Sequence, residues 1–87
     1  MAIIKKKIRA DYFEEILSGK KKFELRLNDF NVKEGDILIV QEHDSAHNLT
    51  GREIEKTITF VQKFKIEDLP WPPDEIADEG LQIITFE

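Results

Sequence analysis

The chain has 87 residues and no cysteine. Disulfides and thiolate chemistry are therefore excluded. No apolar run exceeds four residues, as in "ILIV" at Ile37–Val40. A membrane-spanning helix needs roughly 20, so no membrane partner is expected. The N-terminus lacks the apolar stretch and small-residue site of a signal peptide, and a cytoplasmic location is expected. The three prolines stand together at Pro70, Pro72 and Pro73, and no other segment reads as a linker or repeat.

The length suits one domain, residues 1–87, expected as a monomer. A domain of this size buries only about 60% of the surface its unfolded chain exposes, which leaves a small core. Hydrophobic residues make up 40% and charged residues 36%, the balance of a globular domain rather than a disordered one. The net charge of −5 is unevenly spread. Residues 1–27 hold eight Lys/Arg against four acids, whereas residues 28–87 hold five against fourteen. A local basic face attracts anions even on a protein that repels them as a whole. Lysines that guard an edge strand against aggregation produce the same pattern.

"IIKKKIR" (Ile3–Arg9) reads as a first strand. Asp11 reads as an N-cap with Glu14 three residues on, and Phe13, Ile16 and Leu17 share a helical stripe. The helix should run over about residues 12–18 and stop before Gly19. Phe23, Leu25 and Leu27 alternate with Lys22, Glu24 and Arg26, the period of a half-buried strand. A Glu-Gly-Asp turn precedes an apolar strand at 37–40. "QEHDSAHNLTG" reads as a polar connection, residues 52–64 as a longer strand with Ile54, Ile58 and Phe60 on one face, and "LQIITFE" as a last strand. "LPWPPDEIADEG" cannot be a central strand and should be a loop with a helical turn near Asp74–Ala77. The reading is mainly β (α+β): a small barrel of five or six strands with one main helix. Phe13, Ile16, Leu17, Phe23, Leu25, Ile37, Ile39, Ile58 and Phe60 are its expected core.

The spacing G-x-K-x-x-E-x-R is met by Gly19, Lys21, Glu24 and Arg26. It resembles the signature of ASCH domains (activating signal cointegrator homology) in the PUA-like superfamily. "YFEEILSGKKKFELRLND", "VKEGDILIV" and "LTGRE" are similar to a small bacterial and phage branch of that group known only as a domain of unknown function. The resemblance runs from about Ile8 to Glu53 and more weakly to Phe86. It implies a PUA-like β-barrel and a cleft beside the helix–strand turn where Lys21, Glu24 and Arg26 gather. It implies RNA, modified bases or nucleotides as ligands, and in some relatives hydrolysis of N4-acetylcytidine.

Glu24 and Arg26 are two apart, so on a strand they share a face. An arginine fork grips phosphate or carboxylate, and a carboxylate accepts from an exocyclic amine of a base. An ordinary surface ion pair accounts for the same two residues at about 0–1 kcal/mol. Strand parity places Lys22 with them and Lys21 with Phe23. The family pattern favours Lys21, which requires Lys21 to belong to the turn after Gly19; Lys22 stays as the alternate. Lys20, Lys22, Tyr12 and Trp71 are further candidate ligand contacts, with Trp71 either a stacking platform or a cap on the barrel end. His43 and His47 are four apart in a polar connection, and neither a metal nor a cofactor is expected.

The function expected is a nucleic-acid-binding module for RNA or a (modified) nucleotide. The alternative is a small hydrolase on RNA or a modified nucleoside, with Lys21 and Glu24 as its acid–base pair. In the amidohydrolase branch the resemblance implies a threonine where this chain carries Glu24, which argues against acetylcytidine hydrolysis. A protein-interaction module is the third reading.

Overall fold

The computed structural model describes residues 1–84. β1 (Ile3–Arg9) runs directly into α1 (Ala10–Leu17). A long connection without regular structure leads to β2 (Ile37–His43), which turns back into β3 (Leu49–Thr57). A short 3-10 turn (Ile66–Asp68) and α2 (Pro73–Glu79) follow. The sheet order is β1-β2-β3, with β1 and β2 parallel and β2 and β3 antiparallel. Parallel neighbours need a crossover, and α1 with the 18–36 connection supplies it.

The class is α+β, as the periodicities indicate. The barrel is corrected: among the described residues the sheet has three strands and does not close; the helical turn expected near Asp74–Ala77 is a second α-helix, α2. Residues 21–27 form no strand, and Leu25 and Leu27 are 64% and 80% exposed. The longer strand ends at Thr57 rather than near 64, leaving Phe60 exposed. Leu17 and Phe23 are also exposed. Residues 81–84 lie outside regular structure, and the rest of the expected last strand lies outside the described residues.

The core is Ile8, Phe13, Ile16 and Val40, with Leu38 and Ile54 packed against it. It joins the stripe of α1 to one face of β1 and β2. Along β1, Ile4, Lys6 and Ile8 turn inward while Ile3, Lys5, Lys7 and Arg9 turn out. Lys6 satisfies its inward position by lying 3.9 Å from the centre of the Phe30 ring.

Asp11 is not the N-cap. Arg9 holds that position, and the Asp11 carboxylate accepts from Tyr12 N–H (2.9 Å) and from the Arg9 guanidinium (2.8 Å). At the other end Gly19 adopts φ +84°, where a side chain would be strained. The Lys21 N–H then donates back to the Glu15 carbonyl at 3.0 Å.

Asp36, after the Gly35 turn, is a buried carboxylate used structurally. It accepts from the backbone N–H of Ala2 (2.9 Å) and of Lys33 (3.0 Å). These bonds hold its carboxyl below the usual value of 3.8, against the opposing effect of burial.

Candidate functional site

Lys21, Glu24 and Arg26 come together although no strand carries them. Lys21 is still in the turn that closes α1, because its N–H is tied to Glu15. That tie removes it from the parity of the residues that follow, and it swings its side chain to Glu24 rather than to the side of Phe23. Lys21 Nζ lies 3.6 Å from Glu24 Oε1, and Arg26 Nε donates to Glu24 Oε2 at 2.8 Å. The Lys21 and Glu24 side chains are only 12% and 13% exposed, so this group is sheltered. The neighbouring apolar residues Leu25 and Leu27 are the exposed ones instead.

Two further contacts fix the group to the fold. Arg26 Nη2 donates to the Lys7 carbonyl at 2.6 Å, tying the stretch to the free edge of β1. Lys21 Nζ sits 3.9 Å from the centre of the Tyr12 ring, while Arg9 covers the same ring at 4.7 Å. Arg26 therefore spends Nε and Nη2 on the protein. Its Nη1 has no partner among the described residues, so the residue is both anchor and open donor.

These residues line a cleft of about 760 Å³, within the range that takes nucleotide-sized ligands. Lys7, Arg9, Lys20, Lys21 and Arg26 line it against two carboxylates, Glu15 and Glu24. An excess of cations in a concave site raises the local concentration of anions. Gly19 and Lys22 lie outside the cleft, facing a second depression, and Trp71 lines neither. Of the two lysines weighed for this position, the cleft takes Lys21.

His43 also lines the cleft. It belongs to the end of β2, opposite Arg9 in the parallel register, rather than to a loop. Its Nδ1 lies 2.9 Å from the Asp44 carbonyl oxygen, which only accepts, so Nδ1 donates there. Only the strand pairing brings His43 here, and no local pattern signals it. His47 stacks on His43 at 4.9 Å between ring centres. No group of three metal-ligating side chains exists among the described residues.

A second cluster lies behind Phe13. Glu42 is 6% exposed and sits where the β2–β3 register shifts. Such a bulge re-aims side chains. Thr50 Oγ1 donates to Glu42 Oε1 (2.8 Å), and Arg52 Nη1 reaches Glu42 Oε2 (3.5 Å) and Glu14 Oε1 (2.8 Å). Here a signal existed: Leu38, Val40 and Glu42 alternate onto one face, so a carboxylate follows two apolar residues inward.

The chain belongs to the family described as "Domain of unknown function (DUF3850)", which matches residues 3–69. It is 44% identical over 55 residues to the "Uncharacterized 12.9 kDa protein in GpA 3'region" of Escherichia phage P2. That match covers 63% of this chain and 50% of the phage protein, so the chain spans about half the length of the curated relative it matches. No solved structure matches the chain. No helix of the described residues is long and apolar enough to cross a membrane.

Proposed function

We propose that this member of the DUF3850 family is a binding module that holds RNA, or a nucleotide-like ligand, in the cleft beside Lys21, Glu24 and Arg26. The observation that carries the reading is the cation excess of that cleft on a protein of net charge −5. Lys21 and the Nη1 edge of Arg26 receive phosphate. Glu24 orients both cations and accepts from an amine-bearing base. Tyr12, 39% exposed, carries the Lys21 and Arg9 cations over its ring and holds both beside the cleft. Lys7, Arg9 and Lys20 supply attraction that does not depend on sequence. The likeness of Gly19, Lys21, Glu24 and Arg26 to the ASCH signature supports the same reading, with the cytoplasm as the place of action.

The test is a titration of short single-stranded RNAs and nucleotides at two salt concentrations. Lys20→Ala should weaken binding of all sequences alike and flatten the salt dependence. Glu24→Gln should change which base is preferred more than it changes the salt slope. Arg26→Lys should cost substantially despite its charge, since an ammonium lacks the planar fork. No measurable binding by the wild type, or equal binding by Arg26→Ala, would return the cluster to a purely structural role.

One observation favours a second reading, a hydrolase acting on RNA or a modified nucleoside. His43 lines the same cleft as Lys21, and a positioned imidazole is the usual group for moving a proton. N4-acetylcytidine itself should be cleaved very slowly or not at all, because Glu24 stands where the related amidohydrolases carry threonine. Turnover of about 1 per second or faster, lost in Lys21→Ala, would replace the binding reading by the hydrolase.

A further inference from the structure

The second depression differs from the cleft in character. It is about 670 Å³ and lies between the 22–32 and 56–66 stretches. Phe23, Leu25, Leu27, Phe60, Phe64 and Ile66 line it, each 37% to 80% exposed. Contiguous exposed apolar side chains of this size mark a surface that something covers. Its other notable feature is charge. Lys22, Lys56 and Lys63 line it, and none of the three makes an ion pair among the described residues.

The complement of this surface is present in the same chain. Residues 66–87 contain seven carboxylates and no lysine or arginine, whereas residues 1–65 hold thirteen cations against eleven carboxylates. The segment is also apolar, with Leu69, Trp71, Ile76, Leu81, Ile83 and Ile84. None of its described residues is buried, and α2 carries Asp74, Glu75, Asp78 and Glu79 without burying a side chain. Within one molecule no described residue beyond Ile66 lines the groove.

We propose that the groove is a homodimer interface that receives the acidic, apolar tail of a second copy of the chain. Each copy offers one groove and one tail, so a two-fold arrangement uses both and closes on itself. Leu69, Trp71 and the 81–84 residues cover the aromatic floor. The α2 carboxylates meet Lys22, Lys56 and Lys63. This departs from the monomer expected from length alone. Its charge contacts are separate from the nucleotide reading, because none of those three lysines lines the cleft, although Lys21, Phe23, Glu24, Leu25 and Arg26 border both depressions.

Sedimentation of the full chain over a wide concentration range tests the proposal. A monomer–dimer equilibrium that weakens with added salt is expected. Phe60→Asp should weaken the dimer by about tenfold or more, as loss of a central aromatic anchor does. Because Phe60 is 70% exposed, the monomer should keep its circular dichroism spectrum. Two charge-reversed chains guard against misfolding: Lys56→Glu with Lys63→Glu, and Asp74→Lys with Glu75→Lys. Each alone should remain monomeric, and an equimolar mixture should recover a dimer. A wild type that stays monomeric at every concentration, a dimer untouched by these changes, or a mixture that fails to pair would overturn the proposal.

Discussion

Two clusters in this small protein are built from the same residue types and differ in how their charges are balanced. Around Glu24, two cations share one carboxylate, and Arg26 keeps Nη1 without a partner among the described residues beside an open cleft. Around Arg52, two carboxylates share one guanidinium, and a threonine hydroxyl satisfies the buried acid. The second works as a strut: Arg52 lies on the Phe13 ring at 4.8 Å and straps α1 to β2 through Glu14 and Glu42. The first has positive charge in excess next to solvent. The two clusters thus differ in the sign of the charge left over and in place: only the group around Glu24 lines the cleft.

The largest effect should come from removing the floor of the strut. Phe13 is 1% exposed, and Phe13→Ala should cost about 3–5 kcal/mol by urea unfolding, enough to unfold much of a domain this small. A loss below about 1 kcal/mol would mean that the helix does not depend on this core.

Next in size, Arg52→Ala should cost about 1–3 kcal/mol, since Glu42 keeps only Thr50 as a partner. A double-mutant cycle between Arg52 and Glu42 should show coupling of about 0.5 kcal/mol or more. Additive effects would show that the two groups are neighbours without being partners.

Arg26→Ala should destabilise by about 1 kcal/mol or less, since Glu24 keeps Lys21 as a charged partner, and under the proposed binding reading it should abolish RNA binding. The contrast with Arg52 is the sharpest form of the comparison. Equal destabilisation by the two substitutions would erase the distinction between the two clusters.

The least effect at neutral pH but a distinct one in acid concerns Asp36, which serves neither cluster. Its carboxyl is held below 3.8 mainly by the Ala2 N–H and then by that of Lys33. A depressed acid adds stability that is complete above its unfolded value and is lost as pH falls through the folded one. The melting temperature should therefore fall as pH drops below about 3.8, and the fall should be shallower in Asp36→Asn. An unchanged acid limb in that variant would remove Asp36 from the account.

The local features of the chain were legible because local physics determines them. The apolar stripe of Phe13 and Ile16 forms a helix, Gly19 ends it, and β-branched runs make β1 and β2. Spacing marked Glu24 and Arg26 as a pair and grouped Lys22 with them, whereas the family resemblance pointed to Lys21; the inward alternation of Leu38, Val40 and Glu42 was also open to reading. What the sequence could not decide was which face of residues 21–27 turns inward. Alternation predicts Phe23, Leu25 and Leu27 inside, but the Lys21 N–H bond to Glu15 and the Arg26 bond to the Lys7 carbonyl hold the charged side in instead. Those contacts join residues six and nineteen apart, and no local pattern carries them. Tertiary pairing likewise brought His43 beside Arg9, and it left the sheet at three strands, with the apolar residues meant to close a barrel lining an open groove. Periodicity states that a segment has two faces; only its partners decide which one is covered.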